Sequence, residues 1–146
     1  MGCTAELLVV NRGHYTLGHV GDSRTYLLRN GRLSRLTRDH SLVQEQLDQG
    51  VITPREAQNH PLRHVILRAV GIEDQLALDL IRGPVEPGDL FLLCTDGLTD
   101  MVDDDTIVQI LGNSNSLIRK VEQLVDEANR AGGRDNITVV LLHVQP

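Results

Sequence analysis

Aromatic residues are nearly missing from this chain, which has two Tyr, one Phe and no Trp among 146 residues. Surfaces that bind nucleic acid stack bases on aromatics and present a basic face. Here the net charge is −6, so a nucleic-acid role is not expected. Cysteine is scarce as well, with only Cys3 and Cys94. Two distant cysteines make no disulfide framework, and a reduced, cytoplasmic setting is expected. No apolar run approaches the roughly 18–20 residues that a membrane helix needs. The longest candidates, Leu7 to Val10 and Asp89 to Cys94, are strand-sized, so no membrane association is expected. The start lacks the basic and long apolar regions of a signal peptide. Met1-Gly2-Cys3 opens like an acylation site, but that pattern wants Ser or Thr at the sixth position, where Glu6 stands.

What is present is ordinary for a globular domain: 40% apolar and 23% charged residues, enough for one domain with a core. The chain has no internal repeat or low-complexity tract. Thr4 to Asn11 and Tyr15 to Val20 read as strands joined by a turn at Asn11-Arg12-Gly13. Thr25 to Leu28 and Leu33 to Leu36 read as a second hairpin around Asn30-Gly31, the strongest short turn signal.

From Asp39 to Gly71 the texture is polar and helical, an insertion between strands. Ser41 and Thr53 are candidate N-caps there. Pro54 sits at a first helical position and Glu56 completes a capping box. Leu76, Leu78 and Leu80 alternate with Gln75, Ala77 and Asp79, which predicts a half-buried strand. Pro84 to Gly88 reads as a turn, and Leu90 to Cys94 as a central strand. Asp103 to Leu111 and Leu117 to Ala131 read as helices, and Asn136 to Val144 as the last strand. Strands in a meander followed by helices predict an α+β fold, with helices packed on antiparallel sheets.

Three acids fall just past strand ends: Asp22 in Val20-Gly21-Asp22-Ser23-Arg24, Asp96 in Cys94-Thr95-Asp96-Gly97, and Asp135 in Gly132-Gly133-Arg134-Asp135-Asn136. Carboxylates from separate strand ends can converge on one cation, and oxygen-only ligands favour Mg²⁺ or Mn²⁺ over zinc. An Asp beside Gly at a strand end is also a common turn residue, so none of the three is specific alone.

Their order is more telling. VGDSR, an insertion, an apolar strand running into TDGLTD, a helix and then GGRDNITVV resemble the C-terminal motifs of PP2C (PPM) protein phosphatases. MGCT resembles that family's entry strand. Asp39-His40-Ser41-Leu42-Val43, His60-Pro61 and Leu67-Arg68-Ala69-Val70-Gly71 resemble its stretches between the motifs.

The resemblance implies an α-β-β-α sandwich and a metal-dependent protein serine/threonine phosphatase, hydrolysing phosphoserine or phosphothreonine by a metal-activated water. It implies Asp96 and Asp135 as catalytic through the metal centre, and Asp22, Asp96 and Asp135 as ligands of two or three Mn²⁺ or Mg²⁺ ions. Residues 39–71 would carry the flap beside the site. The implied partner is a phosphorylated protein. The family's acidic segment with its phosphate-binding Arg, and its DGxGGH element, have no counterpart here. Residues 1–146 are therefore expected to be a single partial domain with its N-terminal portion missing, completed by another segment or prone to self-association. The alternative function is a non-catalytic interaction or regulatory module with the same fold. A different Asp- and Mg²⁺-dependent hydrolase with Asp96 as nucleophile would want a DxD pair, which Thr95-Asp96-Gly97 does not supply.

Other residues invite weaker readings. His14 and His19 are five apart in a strand and should face opposite sides, poor geometry for a shared metal. His40, His60 and His64 fall in the insertion and are expected at the surface or on the flap. Arg24 is expected in a structural ion pair, Cys94 as a small core residue, and the acids at Asp103 to Asp105 at a helix N-terminus. Ser23 has no base in a recognisable arrangement and is not expected to be a nucleophile.

Overall fold

The computed structural model describes residues 2–72 and 75–145. Met1, the first residue of the MGCT stretch, lies outside the described residues. Two hairpins begin the fold. β1 (Ala5–Asn11) and β2 (His14–Val20) pair antiparallel across Arg12 and Gly13, whose φ values are +47° and +78°. β3 (Arg24–Arg29) and β4 (Arg32–Arg35) pair across Asn30 and Gly31, at +51° and +76°. Positive φ at both central residues matches the right-handed twist of the strands, which is why Asn-Gly serves so well.

The polar insertion forms α1 (Leu42–Asp48) and α2 (Pro54–Gln58). Ser41 Oγ accepts from the Gln44 amide, and Thr53 with Glu56 makes the complete capping box. Beyond it come β5 (Asp79–Pro84), β6 (Leu90–Cys94), α3 (Asp96–Thr99), α4 (Asp104–Gly112), α5 (Leu117–Arg130) and β7 (Val139–His143). Asp103 caps α4, its carboxylate accepting from the Thr106 amide at 2.8 Å.

The strands form two antiparallel sheets, ordered β1-β2-β5 and β4-β3-β6-β7. Alternation along each strand separates two cores. Tyr15, Leu17, Leu27 and Phe91 are buried between the sheets. Tyr26, Leu28, Leu90, Leu92 and Cys94 point to the other face of the second sheet, against Leu98, Ile107, Leu111, Leu124 and Ala128 of α3, α4 and α5. The free thiol of Cys94 behaves as a core group, and burial pushes it up to about 12.

The strand expected at Gln75 to Leu80 lies instead at Asp79–Pro84. Its bounds are set by its partner, since β2 pairs His19 with Asp79 and His14 with Pro84. The leucine alternation is real but marks the outward face. Leu78 and Leu80 are 45% and 59% exposed, beside Leu7 and Val9 of β1 at 66% and 50%. Three of the four expected layers are therefore built. Among the described residues no helix covers the outer face of the β1-β2-β5 sheet.

Phe91 is fully buried and meets Tyr15 edge to face, with centroids 5.3 Å apart. Phe91→Ala is expected to lower unfolding stability by about 3–5 kcal/mol, as large-to-small changes in a tight core do. Urea unfolding read by circular dichroism checks this.

One polar cluster interrupts the space between the sheets. His19 is completely buried, and its Nδ1 meets the Glu6 carboxylate. Its Nε2 donates to the Arg38 carbonyl at 2.8 Å, and Thr25 donates to the other Glu6 oxygen at 2.8 Å. Both ring nitrogens face acceptors, which suits the imidazolium. Burial pulls the His19 pKa down, but the hydrogen bond and charge of Glu6 prevail and leave it raised. Its contribution to stability is thus complete below the unfolded value of about 6.5 and lost as pH rises through the higher folded value. Wild type should lose stability as pH rises above about 6.5. His19→Gln should flatten that slope, read by denaturant titration at each pH.

Candidate metal centre

Asp22, Asp96 and Asp135 line one cavity of about 510 Å³, together with Arg63, His64 and Asp100. Each arrives by a different route. Asp22 follows β2 in the short link to β3, while Asp96 opens α3 where β6 ends. Asp135 sits in the loop between α5 and β7. β2 belongs to one sheet, and β3, β6 and β7 to the other, so the site lies at one end of the two layers.

Hydrogen bonds tie the Asp96 turn to the Asp135 loop. Thr95 Oγ1 donates to the Asn136 carbonyl at 3.1 Å and accepts from the Thr138 amide at 3.0 Å. The Thr95 amide also donates to the Thr138 carbonyl at 3.2 Å, and the Asn136 amide donates to Asp135 Oδ1 at 2.7 Å. A Cβ at Gly97 would lie 2.3 Å from the Asn136 carbonyl oxygen, so glycine is what lets the two loops touch.

The Asp22 link is held by the insertion. The Gly21 amide donates to His40 Nδ1 at 3.2 Å, and the His40 amide donates to the Gly21 carbonyl at 2.8 Å. With Nδ1 accepting, His40 Nε2 carries the proton and donates to Asp79 at 3.0 Å. His40, expected at the surface or on the flap, is only 4% exposed, because this pairing spans the insertion, the Asp22 link and β5. His60 is half-buried, and His64 is exposed but lines the cavity. His14 is exposed and His19 buried, on opposite faces as their spacing predicts. Arg24 does form the structural ion pair, holding Asp39 with Nε at 3.2 Å and Nη2 at 2.7 Å.

The cavity is crowded with negative charge. Burial, then Asp96 and Asp39, push the Asp22 carboxyl up to about 6. Asp96 is raised too, by burial and then by Asp100 and Asp135. Four carboxylates line the cavity beside Arg63 and Arg134, and such an oxygen donor set suits a hard divalent cation, so the residues fit Mn²⁺ or Mg²⁺.

Sequence reasoning placed neither His64 nor Asp100 in the metal site. The signal for Asp100 was its spacing, four residues after Asp96, which puts both on one side of a helical turn. α3 itself was missed because it is only four residues long and contains Gly97.

Known proteins share this fold. The protein phosphatase 2C family model matches residues 1–139, and the chain belongs to that family. Serine/threonine phosphatase stp of Listeria monocytogenes is 42% identical over 142 residues, covering 97% of this chain and 56% of the relative. Protein phosphatase PhpP of Streptococcus pneumoniae is likewise 42% identical, with 58% of its length covered. The crystal structure of the Mycobacterium tuberculosis serine/threonine phosphatase PstP/Ppp superposes with a TM-score of 0.94 at 39% identity, over 99% of this chain and 61% of that one. A structure of the PstP catalytic domain in complex with two manganese ions has a TM-score of 0.87 at 38% identity, over 98% of this chain and 59% of that one. The fold is thus that of the family, and the chain spans somewhat more than half the length of these relatives.

Proposed function

We propose that this chain carries much of the metal centre of a protein serine/threonine phosphatase. In that reading Asp96 and Asp135 hold the cations at the reaction centre, and Asp22 holds a further one together with Asp96. The ions are Mn²⁺ or Mg²⁺, two or three in the complete site, and the substrate is a phosphoserine or phosphothreonine of another protein. What carries the reading is the convergence of Asp22, Asp96 and Asp135 on one cavity. When bound, divalent cations supply acidity to a water and neutralise charge on the phosphoryl oxygens.

The chain's own residues do the positioning. Thr95 and Gly97 fix the distance between the Asp96 and Asp135 loops, and His40 buttresses Gly21 beside Asp22. Arg63 and Arg134 lie on the cavity wall, where a phosphoryl group could take their charge. Residues 39–71 act as a flap in this scheme. A cytoplasmic setting belongs to the proposal, and no helix among the described residues is long and apolar enough to cross a membrane.

A second reading is a non-catalytic interaction or regulatory module that keeps the fold. It is favoured by the apolar outer face of the first sheet, where Leu7, Val9, Leu78 and Leu80 are exposed and could receive a companion segment or a second copy. Hydrolysis of a phosphothreonine peptide separates the two. Turnover with Mn²⁺ that falls to background in excess EDTA is expected; turnover unchanged by EDTA would refute the metal-dependent scheme.

A further inference from the structure

Arg38 stands where the second hairpin passes into the insertion, and its backbone carbonyl is held by a ring that the metal scheme does not use. We infer that His19 is a proton-dependent clasp on the insertion: as an imidazolium it ties the first sheet to the Arg38 carbonyl, and on losing its proton it lets go.

The geometry asks for two protons on the ring. His19 is completely buried on β2, with Glu6 of β1 at Nδ1 and the Arg38 carbonyl 2.8 Å from Nε2. Only the imidazolium serves both acceptors. Neutral imidazole has one N–H, and the carboxylate takes it, because a bond to a charged acceptor is about twice as strong as one to a carbonyl. A ring lone pair would then face the Arg38 carbonyl oxygen across 2.8 Å, and the carbonyl must move away.

Such a movement does not stay local. The Arg38 guanidinium meets Asp48 at the end of α1. Two residues on, His40 exchanges bonds with Gly21, and its carbonyl accepts from the Leu67 amide at 2.7 Å. The Val65 carbonyl in turn accepts from the Leu42 amide at 3.0 Å. Both ends of the insertion thus hang on the backbone that His19 holds.

The surroundings set where the proton leaves. Glu6 faces the ring from β1 and is itself held by Thr25 of β3. Asp79 acts on it from β5 and is shared with Arg68 at 3.5 Å. The His40 ring lies beside it, with centroids 4.6 Å apart, and adds no positive charge while its Nδ1 accepts from the Gly21 amide. Burial works against the imidazolium, but the bond and charge of Glu6, the Arg38 carbonyl and Asp79 outweigh it. The clasp is therefore closed below the ordinary histidine value of about 6.5 and opens above it. It needs no metal and does not rest on catalysis.

The test is carbon-detected NMR of the metal-free full chain between about pH 5 and 10, on both sides of the ordinary histidine value. The ring nitrogens of His19 should titrate, and the carbonyl carbons of Arg38, His40 and Val65 should shift with the same midpoint. Glu6→Gln removes the facing charge and should lower that shared midpoint by about 1–3 pH units, the usual effect of one opposite charge nearby. At a pH between the two midpoints, proteolytic cutting within residues 39–71 should be faster in the variant than in wild type. A His19 ring that keeps one protonation state throughout, or that titrates while the Arg38 carbonyl stays still, would overturn the inference. So would an unchanged midpoint in the folded variant. If the variant fails to fold, the wild-type titration alone decides.

Discussion

Asp96→Asn is expected to weaken Mn²⁺ binding by about 100-fold or more, because residues that only orient a ligand already cost about 10- to 100-fold. Asp96 stands between the two ends of the cavity. Its carboxyl is raised by burial and then by both Asp100 and Asp135, and it is the leading charge acting on Asp22. Removing it takes a donor from every arrangement of ions the cavity allows. The fold should not suffer. Asparagine keeps the shape and removes repulsion among crowded carboxylates, so the metal-free variant should be at least as stable as wild type. Asp135→Asn should also weaken Mn²⁺ binding. Equilibrium dialysis with Mn²⁺, beside thermal unfolding in EDTA, checks each part. A variant that binds Mn²⁺ like wild type would remove Asp96 from the centre. A variant that loses the metal because it is unfolded would leave the carboxylate's role to Asp135.

The second large effect concerns what lies outside this sequence. The chain covers 56% of the Listeria monocytogenes phosphatase and 61% of the solved Mycobacterium tuberculosis chain. Its cavity is open, and the outer face of the first sheet exposes Leu7, Val9, Leu78 and Leu80. Adding the portion of such relatives that this chain does not cover should raise Mn²⁺-dependent turnover of a phosphothreonine peptide by ~100-fold or more, the scale of one lost charge-stabilising group. It should also reduce self-association, since exposed apolar faces and strand edges invite it. Turnover assays and analytical ultracentrifugation of the short and extended proteins read both effects. Equal turnover would mean that the 146 residues already hold the whole reaction centre. No turnover in either would favour the interaction module.

Much of the fold was legible because it is local. Arg12-Gly13 and Asn30-Gly31 announce hairpins, Ser41, Thr53 and Asp103 announce helix starts, and the continuous apolar run of β6 is plain. The three aspartates could be named from the motif order that resembles the family, each in a glycine-marked turn, Asp22 and Asp96 after a strand and Asp135 between α5 and β7. What stayed hidden depends on partners distant in sequence. β5 is bounded by the length of β2, which no reading of Leu76 to Leu80 reveals. His40 looks like a polar loop residue until Gly21 and Asp79 are brought to its two ring nitrogens. Glu6 drew notice only as a mismatch to an acylation pattern, yet it is the carboxylate that holds buried His19. His64 meets Asp96 and Asp100 only because backbone bonds fold the insertion back over the strand ends.

The most direct test is a crystal of this chain grown with saturating Mn²⁺, with anomalous diffraction recorded at the manganese edge. The expected result is a peak within about 2.0–2.3 Å of a carboxylate oxygen of both Asp96 and Asp135, the span typical of oxygen ligands to small divalent ions. A second peak is expected where Asp96 is shared with Asp22. Saturated crystals with manganese only at other surfaces, and none touching Asp96 or Asp135, would contradict the assignment of this cavity as a cation centre.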